Sequence, residues 1–263
     1  MGSGVARSLL AAGLPVAVFD VRPEPAAAIA GATVCTSSAA VAGNADVVCI
    51  VVYDGGQVRE VLFGPDGLLA GADPGLVVIV CTTMSVEDVV DAAATAEAAG
   101  VALLDVGISG SPEDAASGQL VVMVGGDDEA VATAAPVLEM MAREVIRAGV
   151  RGQGMRLKLI KNAMSYLTMS AVHEAMRLAE RVGVPLDAVR QTVVATDLVD
   201  DFFWHPLARP STRPAPDDAA RHYAEMCGKD LDAILAMGNV AAVDLPVATV
   251  TRRLAERIFL VSE

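Results

Sequence analysis

Aromatic side chains are scarce in this sequence: Trp, Tyr and Phe make up 3% of its 263 residues, although 54% of the residues are hydrophobic. Cores built mainly from Ala, Val, Leu and Met suit closely packed helices and buried parallel strands. The composition therefore favours an α/β protein over a β-sandwich or a β-barrel, and the length favours two domains.

Positive charge and long apolar runs are also in short supply. The formal net charge is −14, which repels phosphate backbones and anionic lipid headgroups. The longest apolar runs, residues 47–52 and 76–80, are far shorter than the roughly 20 residues needed to cross a bilayer. We therefore expect no nucleic-acid or membrane partner and, without a recognisable leader, a cytoplasmic protein.

The four cysteines form no CxxC pair, and no histidine lies at metal-ligand spacing from them. Buried apolar thiols are the simplest interpretation. A disulfide framework or a structural zinc is the alternative. We expect no metal site.

Short β-branched runs alternate with Ala-rich helical stretches between residue 14 and about residue 149. The strand-like runs are residues 15–20, 46–52, 76–81, 101–106 and 120–126. This alternation predicts βαβ units on a parallel sheet. Between two of the runs, Ser85 is a candidate N-cap and Gly100 a candidate stop for one helix.

No strand-like run appears after Gly154. Helical stretches are predicted at about residues 155–181, 186–196 and 221–238, and from residue 246 to the end. We therefore expect a Rossmann-like domain over residues 1–151, followed by an all-α domain over residues 152–263 that starts with a long interdomain helix.

The opening residues MGSGVARSLLAAGLPVAVFD predict an amphipathic helix and then a strand that ends at Asp20. A dinucleotide site uses a glycine turn at a helix N-terminus for the pyrophosphate and an acid after the second strand for the ribose. Gly2 and Asp20 suit these positions, although many other α/β proteins share the pattern. A carboxylate at Asp20 disfavours a 2′-phosphate, so NAD is preferred over NADP, and nearby Arg22 offsets this in part.

Three internal segments contain candidate functional groups: CTTMS at 81–85, DVGISGSPEDAASGQLVVMVGG at 105–126 and GQGMRLKLIKN at 152–162. In the last segment, Lys158 and Asn162 are one helical turn apart and share a face. A lysine in a partly desolvated cleft can exchange a proton with a substrate hydroxyl. Taken singly, the segments also fit a capped strand end, a turn and a solvated helix face.

Taken together and in this order, the motifs resemble those of the β-hydroxyacid dehydrogenase family, which includes 3-hydroxyisobutyrate dehydrogenase, tartronate semialdehyde reductase and, more distantly, 6-phosphogluconate dehydrogenase. The first helix, Met1-Gly2-x-x-Val5-Ala6-x-x-Leu9, and the late segment GKDLDAILAMG at 228–238 belong to the same resemblance. Two positions depart from the family pattern, because Ser111 replaces a glycine and Gly107 replaces a proline.

The resemblance implies reversible NAD(P)-dependent oxidation of a small β-hydroxyacid to its semialdehyde. Lys158 would act as the acid/base and Asn162 would orient the substrate hydroxyl. Ser109 would take part in catalysis and also hold the substrate carboxylate with Gly110 and Ser111. The resemblance also places Trp204 in the substrate pocket, although core packing explains that residue equally well. The implied cofactor contacts are Gly2, Asp20, Val52, Thr83 and Lys229.

The family's first strand and its first two fingerprint glycines would precede Met1. We therefore expect a Rossmann-like sheet without its first strand and weak cofactor binding. A misplaced start and a natural loss both remain open.

The resemblance also implies a homodimer or homotetramer assembled through the helical half. Two other functions remain open: an imine or other carbonyl reductase on the same scaffold, and a cofactor-deficient, non-catalytic dimeric scaffold. Lys158 favours alcohol or aldehyde chemistry, because related imine reductases typically replace this lysine.

Overall fold

A computed structural model describes residues 1–198 and 218–259. Contacts divide the chain into two compact units, Met1–Lys158 and Leu159–Glu263. The first unit contains all the strands of the described residues, and the second consists of helices. The expected α/β class with a helical C-terminal region is confirmed. The division after residue 151 remains a proposal about the domains.

The strands of the first unit form two sheets. The strands are β1 (Ala17–Val18), β2 (Thr33–Val34), β3 (Val47–Ile50), β4 (Val77–Val80), β5 (Ala102–Ser109), β6 (Leu120–Gly125) and β7 (Ala142–Gly149). β1 and β2 pair in parallel as one sheet, and the other sheet has the order β3-β4-β5-β6-β7. Only the β5–β6 pair in this second sheet is antiparallel, so the sheet is mainly but not wholly parallel.

Helices connect these strands, and several begin with the side-chain caps that their sequences favour. The helices are α1 (Gly2–Ala11), α2 (Pro23–Ala27), α3 (Ser38–Ala42), α4 (Gly55–Phe63), α5 (Leu68–Gly71), α6 (Val86–Ala98), α7 (Pro112–Ala116) and α8 (Asp128–Met141). The predicted cap of α6 is confirmed, because the Ser85 hydroxyl accepts a hydrogen bond from the Asp88 N–H.

The core of the first unit lies along the sheet. All four residues of β4 are buried, with exposed fractions of 2% or less, as expected for a central strand of Val and Ile. The inner face of α8 and residues Val5 and Leu9 of α1 join the same apolar cluster.

The second unit is built from α9 (Gln153–Arg181), whose first turns belong to the first unit, with α10 (Leu186–Ala195), α11 (Asp218–Val240) and α12 (Pro246–Phe259). Gly183 follows α9 at φ +76°, a conformation that glycine adopts without strain. No helix in the described ranges has both the length and the apolar character needed to cross a membrane. The cytoplasmic location stays a prediction.

The first turn of α9 packs directly against the backbone of the central sheet. A Cβ on Gly154 would lie 2.2 Å from the Asp105 carbonyl oxygen and 2.6 Å from that of Met123. The buried Asp105 carboxylate accepts hydrogen bonds from the N–H groups of Gly152 and Met155, both at 2.7 Å. These bonds satisfy donors that every helix N-terminus leaves unpaired. These hydrogen bonds and the close packing at Gly154 fix the start of α9 against the sheet.

We predict that Gly154→Ala lowers the free energy of unfolding by about 1–3 kcal/mol, because the added methyl group has to displace the backbone. Gly228→Ala is the matched control in α11, where the nearest atom to a new Cβ is Arg252 Cζ at 3.6 Å. It should leave stability unchanged or raise it by up to about 1 kcal/mol. Urea denaturation of both variants makes the comparison. Equal stability of the two variants would contradict the close packing described for α9.

Candidate active site

Lys158 lies against the end of β5. Its side chain is 9% exposed, and its Nζ donates a hydrogen bond to the Ile108 carbonyl oxygen at 2.6 Å. A Cβ on Gly107 would lie 2.5 Å from the Lys158 Cβ, so glycine at this position leaves room for the lysine side chain to pack over β5. The residue that departs from the family pattern thus has a packing role beside the candidate acid/base.

Ser109 and Gly110 follow directly from this point on the strand. Gly110 has φ +143°, and a Cβ there would lie 2.8 Å from Leu120 Cδ2, so the segment requires glycine. Ser109 and Gly110 line a common cavity. The structure therefore brings the predicted serine-glycine pair next to the Lys158 ammonium group. The roles of these three residues stay predictions.

Ser111 caps α7. Its hydroxyl accepts from the Asp114 N–H at 3.1 Å, and its own N–H donates to the Asp114 carboxylate at 2.7 Å. This reciprocal arrangement is a capping box. The sequence S-x-x-D is typical of such a cap. Substrate binding by Ser111 stays a prediction.

Asn162 belongs to a buried polar cluster in the second unit. Its side-chain N–H donates to Asp230 Oδ2 at 2.8 Å, and the Tyr166 hydroxyl donates to the same oxygen at 2.8 Å. Asn162 and Asp230 are 5% and 2% exposed. Asp230 accepts one of the two amide N–H groups of Asn162, which leaves the second N–H as a donor and the amide oxygen as an acceptor. Burial, and then the charge of Asp230, raise the pKa of Tyr166, so its hydroxyl remains a donor.

Asp230 also links this cluster to two lysines. Lys229 Nζ lies 3.3 Å from Asp230 Oδ1, and the Lys229 side chain is 27% exposed. Burial lowers the pKa of Lys161, while the charge of Asp230 opposes that change. Asp230 is not among the residues predicted from the sequence, although it lies in the same K-D-L segment as the predicted cofactor contact Lys229.

The predicted cofactor residues of the first unit lie near strand ends. Gly2 begins α1, and a Cβ there would be 3.4 Å from the Val51 Cβ, so the N-terminus of α1 adjoins the carboxyl end of β3. Asp20 follows β1, and its Oδ1 accepts from the Arg22 N–H at 2.9 Å. The Arg22 Nε is 3.7 Å from the same oxygen, so the guanidinium expected to offset this carboxylate lies close to it.

Val52 and Thr83 lie just beyond the neighbouring strands β3 and β4. The buried Thr82 hydroxyl joins these strand ends, because it accepts from the Val52 N–H at 3.1 Å and donates to the Val52 carbonyl at 3.0 Å. The carboxyl edge of a parallel sheet is where open α/β folds bind ligands. Cofactor contacts by Val52 and Thr83 stay predictions.

The remaining candidates add no further group to the site. Trp204 lies outside the described residues. Cys81 and Cys227 are buried, Cys35 and Cys49 are partly buried, and all four thiols are free. Within residues 1–198 and 218–259, no three His, Cys, Asp or Glu side chains are grouped to hold a metal ion.

Two family models match successive parts of the chain. Residues 1–150 match the NAD binding domain of 6-phosphogluconate dehydrogenase. Residues 152–259 match the NAD-binding domain of NADP-dependent 3-hydroxyisobutyrate dehydrogenase. The two matches include all the predicted site residues.

Named relatives agree with these matches. A 3-sulfolactaldehyde reductase of Escherichia coli is 30% identical, covering 96% of this chain and 85% of the relative. A 3-hydroxyisobutyrate dehydrogenase of Pseudomonas aeruginosa is 30% identical, covering 97% and 87%. The crystal structure of a 3-hydroxyisobutyrate dehydrogenase from Salmonella typhimurium superimposes with a TM-score of 0.83 at 30% identity, covering 97% of this chain and 90% of that one. This chain therefore belongs to the β-hydroxyacid dehydrogenase family of NAD(P)-dependent oxidoreductases.

Proposed function

We propose that this protein interconverts a small β-hydroxyacid and its semialdehyde, with Lys158 as the acid/base. The observation that carries the proposal is the Lys158 ammonium group, nearly buried and hydrogen-bonded to the Ile108 carbonyl beside Ser109 and Gly110. The names of two relatives fit this proposal, because hydroxyisobutyrate is a small hydroxyacid and sulfolactaldehyde is a small aldehyde with an acidic group.

In the proposed reaction, the Ser109 hydroxyl and the Gly110 N–H bind the substrate carboxylate, since neither presents bulk to the ligand. Lys158 exchanges a proton with the oxygen that is alcohol in one direction and carbonyl in the other. Asn162, one turn further along α9, orients this oxygen by donating to it the amide N–H that Asp230 does not accept. Asp230 holds the asparagine by accepting its other N–H, and the Tyr166 hydroxyl donates to the same Asp230 oxygen.

The nicotinamide cofactor, when bound, accepts or supplies the hydride. The residues present fit such a cofactor. The N-terminus of the ten-residue helix α1 adjoins the end of β3, which suits a pyrophosphate, and Asp20 after β1 suits the adenosine ribose. We assign Lys229 to the cofactor as well.

Lys158→Met tests the acid/base role, because it keeps an apolar stem and removes the ammonium group. With NAD and 3-hydroxyisobutyrate, 3-hydroxypropionate and glycerate as substrates, we expect turnover to fall by a factor on the order of 10² or more. Lys158→Arg is the matched control for charge and should be similarly impaired, because guanidinium does not release its proton.

Unfolding temperature and NADH affinity should be measured in both Lys158 variants to separate lost chemistry from lost structure. Near-normal turnover in Lys158→Met would rule out the proposed role. Turnover of cyclic imines with NADPH, without oxidation of the hydroxyacids, would favour the imine reductase alternative. A protein that binds no cofactor and turns over none of these compounds would favour the non-catalytic scaffold.

We also propose that NAD is preferred over NADP, because the Asp20 carboxylate would repel a 2′-phosphate. In Asp20→Ser, the ratio of kcat/KM with NAD to that with NADP should fall on the order of 10-fold, the equivalent of roughly 1.4 kcal/mol of repulsion. Asp46→Ser, which changes an exposed acid that directly precedes β3, is the control and should keep the ratio. An unchanged ratio in Asp20→Ser would remove Asp20 from cofactor selection.

The second unit carries an apolar stripe, which suits a homodimer or homotetramer. Three residues of α9 belong to it: Ile160 is 50% exposed, Met164 68% and Leu178 64%. Val182, which directly follows α9, is 64% exposed. Thr168, Ala171 and Ala175 continue the same stripe at helical spacing. Contiguous exposed apolar surface of this kind is typical of an interaction site, and a second copy offers the same surface.

We predict more than one chain per particle in sedimentation velocity, and dissociation or weaker association in Met164→Glu, which places a charge in the stripe. Gln191→Glu adds the same charge at an exposed position of α10 and should leave the assembly unchanged. A wild-type monomer at micromolar concentration would contradict this assembly.

A further inference from the structure

The cavity beside Ser109 and Gly110 is also lined by a charged side chain, Arg143. It has a volume of about 270 Å³ and is lined by Ser109, Gly110, Asp114, Gln119, Val121 and Arg143. This volume is just below the range of pockets for drug-sized ligands, which suits a ligand of a few carbon atoms. Arg143 is the cationic side chain in this lining, and nothing in the proposed reaction uses it.

Arg143 reaches the cavity because of an irregularity in the sheet. Ala142 pairs with Leu120 and Glu144 pairs with Val121, which leaves Arg143 as an extra residue on β7. Such a β-bulge redirects a side chain, and bulges are common beside active sites. In the described parts of the chain, the Arg143 guanidinium makes neither a hydrogen bond nor an ion pair. Its five donors are therefore open to a ligand.

The cavity and Lys158 share one face of the sheet. Lys158 packs over Gly107 of β5. Ser109 is two residues further along this strand and therefore faces the same side of the sheet as Gly107. Val121, the partner of Ser109 on β6, also lines the cavity. The strands β5 and β7 are two inter-strand spacings apart, roughly 10 Å, and Arg143 reaches back across β6 into the same cavity.

The lining also contains an acid, Asp114, which forms neither an ion pair nor a hydrogen bond with Arg143. Asp114 already accepts the Ser111 N–H in the capping box of α7. Hydrogen bonds from Ser111 lower the pKa of Asp114, and the charge of Arg143 adds to that effect. Asp114 is thus bonded within its own helix, and the guanidinium donors of Arg143 are not bonded to it.

We propose that Arg143 binds a second anionic group, at the far end of the substrate from the reacting carbon. The substrate class is then a β-hydroxyacid that carries two acidic groups, with its first carboxylate at Ser109 and Gly110 and its second anion on the guanidinium. Arginine suits this use because its planar donors bind a carboxylate, sulfonate or phosphate in a bidentate manner. This inference rests on the proposed function and specifies its substrate.

The test compares three substrates that differ at one group. They are 3-hydroxyisobutyrate, 2-(hydroxymethyl)succinate, in which the methyl group of the first carries a carboxylate, and the amide of that second carboxylate as a neutral equivalent. We expect wild-type kcat/KM to be highest for the diacid. In Arg143→Gln, the ratio for diacid over amide should fall on the order of 10-fold, as for loss of a charged hydrogen bond.

The matched control is Arg59→Gln, which removes the same charge from an exposed position of α4. It should keep the wild-type ratio, whereas a general effect of net charge would lower the ratio in both variants. Arg143→Lys should retain part of the preference. A wild-type ratio near one, or an unchanged ratio in Arg143→Gln, would overturn the inference and leave the proposed function intact.

If the wild-type protein oxidises none of these hydroxyacids, the proposed function fails, and binding decides the inference instead. Calorimetry with methylsuccinate and isobutyrate, each with and without NAD, compares a diacid with a monoacid in the absence of chemistry. Tighter binding of methylsuccinate that is lost in Arg143→Gln and kept in Arg59→Gln would support a diacid site. Equal affinity for the two acids would overturn it.

Discussion

The close contact between the first turn of α9 and the central sheet is the constraint on which the candidate site depends. Gly154 and Gly125 have no room for a Cβ, because backbone or carboxylate atoms lie within 2.7 Å of where each would be. Asp105 then binds the helix N-terminus through two backbone N–H groups. Burial raises the pKa of Asp105 and these hydrogen bonds oppose the rise, so the capping bonds partly offset the cost of burying the carboxylate.

The position of Lys158 follows from that contact. It comes four residues after Gly154 and therefore projects from the same face of α9, toward the sheet. Gly107 removes the side chain that would block its path. Gly107, Gly125 and Gly154 thus determine where Lys158 lies, because they let α9 approach the sheet closely. They contribute no functional group of their own to the site. This explains why glycines recur in segments that otherwise carry the candidate catalytic residues.

The sequence predicts an element well where burial determines its residues. β4 is apolar throughout and was predicted as a strand, whereas β7 was missed because its sequence AREVIRAG is charged and most of its residues are exposed. Pairing with β6 makes β7 a strand, and no local sequence pattern reveals a partner such as Leu120, which pairs with Ala142. β2, of two exposed residues, was missed for the same reason.

The same limit applies to the site. Helical spacing relates Lys158 to Asn162, and the family resemblance relates both to Ser109. Neither source identifies Asp230, whose contact with Asn162 joins residues 68 positions apart, nor Arg143, which reaches its cavity through a bulge in an unforeseen strand. Residues that act through contacts between distant parts of the chain can be identified only when the fold is known.

The strongly acidic composition is compatible with binding a small acid, because charge acts over a limited distance. In physiological salt the screening length is about 8 Å, so a polyanion lying along the surface meets many carboxylates, while a small acid in a cavity meets only the groups that line it. Those groups are one carboxylate, Asp114, and donors that include the Ser109 hydroxyl and the Arg143 guanidinium, with the Lys158 ammonium next to Ser109. The net charge of −14 therefore disfavours nucleic acid as a ligand without disfavouring a carboxylate, and in the proposed reaction local donors would select the acid.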